Sequence, residues 1–446
     1  MQKILGEEFK GFLDALNESP RTAIRPHPIK WSWTQRSLEE HFSVEGRVPW
    51  FPDAVVLKEK PEFWRDPLFF GGAYYVQEPS GLIVSHVFKR FGKPDGLVAD
   101  VCGAPGGKSI QLLSLLNDTG FLVSAEPVPA RYPALEENII RWGKVNQALM
   151  RADSRAFATL PNQFDFVLSD VPCSGEGMFR KEPKSVRFWK PNTGKKLQAI
   201  QRQIITNALI STKVGGYFLY TTCTFNPEEN ELNAQWVIDT FGSAVRSIPL
   251  PELTQWNIVE GLDEWDGIKI SAHTYRFYPH RVKGEGFFLA LFQKTDVINP
   301  EKQVNAYRGF DFKPLDCQMP YQLPFEHRVI ESQNKQFIVP EWFDKIEAMV
   351  RKLPIKYIGQ EVACETNKPA HATALLTNPP LTERIPLSYD DAMKYLKGNV
   401  PREISDKYAL VEYLGVPLGW LYKSGTPPRT KNPIPQTFRL KRSLPL

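Results

Sequence analysis

Between Gly96 and Phe292 the chain alternates short apolar runs with stretches of helical spacing, and that alternation restricts it to few folds. The runs Gly96–Asp100, Gly120–Glu126, Phe164–Asp170, Gly216–Thr222 and Gly286–Phe292 are almost continuously apolar, the pattern of strands buried on both faces. Helical stretches at Lys108–Leu116, Tyr132–Trp142 and Leu197–Lys213 separate them. The last of these sets Leu197, Ile200, Ile204, Ala208 and Leu209 on one face. Strands and helices in this order predict an α/β, Rossmann-like, doubly wound parallel sheet. In such a sheet, ligands bind beyond the carboxyl ends of the strands.

Three successive strand ends carry an acid. The first strand runs into Asp100-Val101-Cys102-Gly103-Ala104-Pro105-Gly106-Gly107-Lys108-Ser109 and then opens a helix. Glycines there let the backbone approach a ligand, and the helix start offers free amides. The stretch is not a P-loop, because Cys102 stands where the first glycine of that frame belongs. Glu126 ends the next strand, placed to bind ribose hydroxyls. Asp153 follows a third apolar stretch and is suited to accept from an adenine amine. Together they predict an adenosine-containing ligand across the strand ends; the G-x-G-x-x-G of a nicotinamide site is absent.

Two cysteines follow the remaining strands in polar company. Cys173 lies in Ser169-Asp170-Val171-Pro172-Cys173-Ser174-Gly175-Glu176-Gly177, and Cys223 in Tyr220-Thr221-Thr222-Cys223-Thr224-Phe225-Asn226-Pro227-Glu228-Glu229. Buried structural cysteines sit among apolar groups; these sit among hydroxyls and carboxylates. Consecutive strands are usually neighbours, so Asp170, Cys173 and Cys223 are expected to converge near the cofactor. A thiolate beside an adenosine cofactor suits attack at carbon 6 of a pyrimidine, which turns carbon 5 into a nucleophile toward an electrophilic methyl. A carboxyl held beside the base is suited to protonating ring nitrogen 3. The residues alone leave open which thiol attacks.

Outside the central block the signals are weaker. Residues 1–70 read as a small helical unit, with Phe9, Phe12, Leu13 and Leu16 at helical spacing, followed by Pro-rich loops. The stretch from Arg21 to Trp33 interleaves cations and aromatics, and admits two readings. One is a single-stranded nucleic-acid surface; the other is a loop whose two tryptophans pack on the core. Residues 71–294 form the catalytic unit and 295–352 a connector, with a helix over Glu341–Lys352 that stops before Pro354. Residues 353–446 form a β-rich module ending in a tail with six cations from Lys423 onward and no acid.

With 55 Lys and Arg against 50 Asp and Glu, the chain is slightly basic, which permits a polyanionic partner. Its five cysteines show no framework, so a disulfide-stapled secreted fold is not expected. No C-x-x-C spacing points to a metal. No signal peptide or membrane span is visible, and a cytoplasmic protein is expected.

The segments DVCGAPGGKS (100–109), FDFVLSDVPCSGEGMFRK (164–181), YTTCTFNPEENE (220–231), YYVQEPSG (74–81) and HRVKGEGFFLALFQK (280–294) closely resemble the Sun-type family of RNA cytosine-5 methyltransferases. Within that family they resemble the RsmF-like branch that modifies small-subunit ribosomal RNA. The resemblance implies S-adenosyl-L-methionine as cofactor, bound or lined by Cys102, Gly103, Ala104, Pro105, Gly106, Gly107, Lys108, Glu126, Asp153 and Asp170. It implies that Cys223 is the nucleophile and Cys173 assists product release, with Asp170 contacting the cytosine and Lys108 steadying the loop. It implies 16S ribosomal RNA or the small subunit as partner, with a monomeric enzyme. Transfer RNA as substrate, or a ribosome-assembly factor that keeps the fold as scaffold, are the alternatives. Gly103 and Val171 stand where alanine is usual, and Ser109 where threonine is common; none removes a reacting group. The end of the chain is similar to a PUA-like RNA-binding module through Leu418-Gly419-Trp420-Leu421-Tyr422-Lys423, Lys431-Asn432-Pro433-Ile434-Pro435 and Arg439.

Overall fold

The computed structural model describes residues 1–190, 192–300, 307–317, 319, 321–364 and 368–440. Its centre is a ten-stranded sheet. The five inner strands are ordered Thr212–Thr222, Phe164–Asp170, Leu97–Asp100, Phe121–Ala125 and Gln147–Met150, and all pair in parallel. The side chains of the last four are almost wholly buried, as their continuous apolar character requires, while Thr212–Thr222 is buried mainly over its second half. Helices Gly107–Leu115, Tyr132–Trp142 and Thr193–Ser211 connect them. The expected strand near Gly286–Phe292 forms over Phe287–Lys294 but runs antiparallel to Thr212–Thr222. An antiparallel edge on a parallel sheet is common, and sequence pattern alone does not set strand direction.

Two features extend the sheet. Tyr275–Phe277 and Val259–Glu260 continue it beyond Phe287–Lys294, and Val245–Ser247 also pairs with Phe287–Lys294. At the far edge Ile355–Ile358 pairs antiparallel with Gln147–Met150, so a strand from the carboxy-terminal third completes the catalytic sheet. The helix expected over Glu341–Lys352 forms as a 3-10 turn, Glu341–Phe343, followed by Asp344–Val350, and ends before Pro354.

The amino-terminal unit differs from its sequence reading. The helix Phe9–Leu16 is present, but the Pro-rich part is not loop. Ala23–Pro26, Val44–Val48, Phe51–Leu57 and Tyr74–Gln77 make a four-stranded sheet, and its pairing continues past residue 70. Ala54 and Val56 pack on one face of it and Val55 and Leu57 on the other, both buried, while Pro26 ends one strand, where a missing N–H costs little.

The cation-rich and aromatic stretch from Arg21 to Trp33 proves to be core. Arg25, His27, Lys30 and Trp31 are buried, so these four side chains serve the core and offer no nucleic-acid surface. Lys30 Nζ donates to the Gly71 carbonyl at 3.1 Å and the Arg141 carbonyl at 2.6 Å. His27 Nδ1 accepts from the amides of Ile29 and Lys30, so Nε2 carries the proton and donates to the Trp142 carbonyl at 3.1 Å. Arg141 and Trp142 end the helix Tyr132–Trp142, whose carbonyl end favours cations. Burial pushes the Lys30 ammonium well below the usual lysine range, with Arg141 adding to the effect.

The carboxy-terminal third contains two further sheets. One comprises Lys313–Pro314, His327–Ser332, Lys335–Pro340 and Gln360–Val362, and the other Glu383–Pro386, Tyr408–Tyr413, Val416–Ser424 and Arg429–Lys431. Cys317 and Cys364 form a disulfide, which the cysteine spacing did not reveal. In the basic tail, Lys423 Nζ donates to the Ser405 carbonyl and Arg439 Nε to that of Ile434, so these two cations serve the fold. Lys441 and Arg442 lie outside the described residues. Among the described residues no helix is long and apolar enough to cross a membrane.

Replacing Lys30 by Met keeps the apolar stem but leaves two buried carbonyls without a donor. This Lys30→Met variant should lose about 1–3 kcal/mol of stability, read from the urea midpoint. An unchanged midpoint would show that the ammonium does not join the amino-terminal unit to the helix.

Candidate active site

The strand order reverses between Leu97–Asp100 and Phe164–Asp170, and the predicted residues gather at that switch point. Asp100 is fully buried: its Oδ2 accepts from Ser109 Oγ at 2.6 Å and its Oδ1 from the Cys102 amide at 3.3 Å. Burial pushes its carboxyl up to about 6. These bonds close the loop Cys102–Lys108 on itself. The Gly103 amide donates to the Ala125 carbonyl at 2.7 Å, and a Cβ on Gly103 would lie 3.0 Å from Ser109 Oγ and 3.2 Å from Leu135. Gly106 precedes the helix at φ +116°, a conformation that favours glycine.

Glu126 is buried at the next strand end. Its Oε1 accepts from the Val128 amide at 2.9 Å, and Oε2 lies 3.4 Å from Arg131. Asp153 is clamped by Arg155 through Nε at 2.9 Å and Nη2 at 2.6 Å, and accepts from the Tyr307 hydroxyl at 3.1 Å. Hydrogen bonds from Arg155 hold the Asp153 carboxyl below its usual range. A cleft of about 530 Å³ connects these ends, within the size range of small-molecule sites. Cys102, Glu126, Asp153, Asp170, Cys173 and Cys223 all line it, with apolar walls from Pro127, Val128, Ile200 and Ile204. Gly103, Ala104, Pro105, Gly106 and Gly107 form the loop beside it rather than its lining.

The two thiols do meet: Cys173 Sγ lies 3.3 Å from Cys223 Sγ. The bond with Cys223 and burial together push the Cys173 thiol well above the ordinary cysteine range. Beside them, Lys108 Nζ donates to Asp170 Oδ2 at 2.7 Å and Thr221 Oγ1 to Asp170 Oδ1 at 2.8 Å. Burial alone would lower the Lys108 ammonium, but the Asp170 carboxylate overrides it and holds the amine above its usual value.

Several positioning residues were not singled out in the sequence. Glu229 is wholly buried and bridges the two thiol loops. It accepts from the Ser174 amide at 2.9 Å, Ser174 Oγ at 2.5 Å and Gln201 Nε2 at 2.8 Å, while its own loop follows Cys223. Ser174 Oγ also lies 2.7 Å from Thr224 Oγ1. Glu176 accepts from the Phe225 amide at 3.2 Å and from Trp189 Nε1 at 2.9 Å, and the Gly177 amide donates to the Cys223 carbonyl at 2.8 Å. Behind the Cys223 loop, Arg276 pairs with Glu231 and donates to the Phe225 carbonyl at 2.8 Å. Glu78 holds the amides of Ser80, Gly81 and Glu285, while Glu285 pairs with Arg180 at 2.7 Å. Acids embedded in the quoted motifs, among them Glu78, Glu229 and Glu285, were the available signal; their partners lie too far along the chain to read.

If Glu229 sets the thiol separation, brief treatment of the wild type with diamide should give a Cys173–Cys223 disulfide by peptide mass mapping. The Glu229→Ala variant should give little of it. Equal yields in both would show that Glu229 does not hold the loops together.

The sequence matches two family descriptions: 16S rRNA methyltransferase RsmB/F over residues 92–293, and the N-terminal domain of 16S rRNA methyltransferase RsmF over residues 1–79. It is 28% identical to ribosomal RNA small subunit methyltransferase F of Shigella dysenteriae serotype 1, over 96% of this chain and 92% of that one. With the protein of the same description from Enterobacter sp. strain 638 it shares 29% identity at the same coverage. Among solved structures it resembles a methyltransferase homolog from Pyrococcus horikoshii, with a TM-score of 0.57 and 27% identity over 66% of this chain and 92% of that one. The central parallel sheet agrees with these matches, and the chain belongs to the RsmB/F family of S-adenosyl-L-methionine-dependent RNA cytosine-5 methyltransferases.

Proposed function

We propose that this enzyme methylates carbon 5 of a cytidine in small-subunit (16S) ribosomal RNA, with Cys223 as nucleophile and Cys173 promoting release. The observation that carries the reading is the pair of sulfurs 3.3 Å apart, beside the Lys108–Asp170 pair, in a cleft of adenosine size. The names and full-length similarity of the relatives support ribosomal RNA as the substrate. The cleft's donor set fits the cofactor: Glu126 at the ribose hydroxyls, Asp153 and Asp170 along its length, and the Cys102–Lys108 loop beneath. When bound there, S-adenosyl-L-methionine supplies an electrophilic methyl group.

The chain's own residues supply the rest. Carbon 5 of cytosine is a poor nucleophile, and addition of the Cys223 thiolate at carbon 6 makes it an enamine carbon. Held as the thiol, Cys173 is placed to donate its S–H to the Cys223 sulfur across 3.3 Å. The proton held by the Lys108–Asp170 pair offsets the charge that builds on the ring when it is shared with nitrogen 3. After methylation, carbon 5 loses its proton to water, the 5,6 double bond re-forms and the sulfur leaves carbon 6. The leaving sulfur carries the electron pair, so the same Cys173 donor stabilises it. The base must be out of any stack to reach these groups.

The amino-terminal unit and the carboxy-terminal, PUA-like module are proposed to bind the RNA, and the enzyme to be monomeric and cytoplasmic. Cys223→Ala should abolish methyl transfer to 16S RNA while leaving cofactor affinity intact. Cys173→Ala should accumulate a denaturant-resistant protein–RNA adduct. Wild-type turnover by Cys223→Ala would overturn the nucleophile assignment, and absence of the adduct would overturn the release role. Methylation of transfer RNA but not ribosomal RNA by the wild type would replace the substrate.

A further inference from the structure

The segment that leaves the Cys173 loop and returns to the cleft wall at Ile200 has a distinct charge. It carries Lys181, Lys184, Arg187, Lys190, Lys195 and Lys196 against one acid, Glu182. All six cations are exposed. Among the described residues only Lys195 has a carboxylate within ion-pair distance, Glu228 at 3.3 Å. The segment also exposes Val186, and Trp189 sits half-buried among the cations with its indole N–H held by Glu176.

This segment is fastened to the Cys223 loop along its length. Just before it, the Gly177 amide holds the Cys223 carbonyl. In its middle, Trp189 and the Phe225 amide share the Glu176 carboxylate. At its end, Gly194 lies so close to Asn226 that a Cβ would come within 2.5 Å of Nδ2, and Gln198 Nε2 donates to the Glu228 carbonyl at 2.7 Å. A row of cations, all but Lys195 without an ion-pair carboxylate among the described residues, is thereby fixed beside the two thiols. The composition is the one read in the stretch from Arg21 to Trp33, cations interleaved with aromatic and apolar groups. There Arg25, His27, Lys30 and Trp31 are buried; here the six cations are exposed.

We propose that this rim binds the sugar-phosphate backbone of single-stranded RNA next to the target cytidine. The proposal rests on the RNA methyltransferase reading and names the surface that seats its substrate. Phosphate contacts of this kind position a strand without reading its bases, and stacking on Trp189 is tolerant of sequence. Each phosphate neutralised on a single strand steepens the salt dependence of binding by about 0.7 in log–log slope.

The test compares wild type with the triple variant Lys184→Gln, Arg187→Gln, Lys190→Gln, all three side chains exposed and without a carboxylate at ion-pair distance among the described residues. Binding to 16S ribosomal RNA is measured across a potassium chloride series, alongside cofactor binding. The triple variant should bind RNA about tenfold or more weakly at 0.1 M salt, with a slope shallower by about 2, and keep its cofactor affinity. A control at the far sheet edge, Lys345→Gln with Lys356→Gln, should leave both RNA quantities unchanged. Unchanged affinity and slope in the triple variant, or an equal loss in the control, overturns the rim. If the triple variant loses RNA affinity as expected but the wild type transfers no methyl group to 16S RNA, the rim stands and the functional reading falls.

Discussion

The buried carboxylate of Glu229 is the interaction on which the site depends. It stands at no exposure between two loops that end neighbouring strands, and its bonds to Ser174 and Gln201 bind the Cys173 loop to the Cys223 loop. A carboxylate taken out of water is stable only when hydrogen-bonded, and here three donors reach it. The same bonds fix two sulfurs at 3.3 Å. The parallel pairing of Phe164–Asp170 with Thr212–Thr222 brings the loops near each other; Glu229 sets their separation.

Other buried polar contacts brace this centre from behind. Arg276 with Glu231 supports the carbonyl of Phe225, and Phe12 of the amino-terminal helix packs edge-on against the Phe225 ring at 5.0 Å. Arg180 pairs with Glu285 and also donates to the Ala15 carbonyl at 3.1 Å, tying the same helix to the catalytic unit. The amino-terminal unit is therefore part of the support of the Cys223 loop. Removing one partner from such a buried pair leaves an uncompensated charge, which is why these contacts confer rigidity more surely than they confer stability.

Much of the catalytic unit was legible because its signals are local. Apolar runs located four of the five inner strands to within a few residues, Gln147–Met150 being marked only as the apolar stretch before Asp153, and the preference of consecutive strands to neighbour set Phe164–Asp170 beside Thr212–Thr222. Cys102, Glu126, Asp153, Asp170, Cys173 and Cys223 could be placed in one cleft from their positions at strand ends, and they line it. What was not legible depends on partners distant in sequence. Arg25, His27 and Lys30 look like a solvated cationic stretch until the carbonyl end of the helix Tyr132–Trp142 and the rings of Trp142 and Phe51 are brought against them. The amino-terminal sheet hid behind prolines that sit at strand ends and bends. Ile355–Ile358 reads as part of a carboxy-terminal module, and its place on the catalytic sheet is set by pairing with a strand some two hundred residues earlier.

The central claim is a division of labour between two sulfurs in van der Waals reach of each other, and the covalent bond itself decides it most directly. RNA carrying 5-fluorocytidine at the target position cannot lose a proton from carbon 5, so turnover in the presence of S-adenosyl-L-methionine stops at the adduct. Protease digestion and mass spectrometry of that adduct identify the attached cysteine. The account predicts that the modified peptide contains Cys223. Attachment through Cys173 would contradict it.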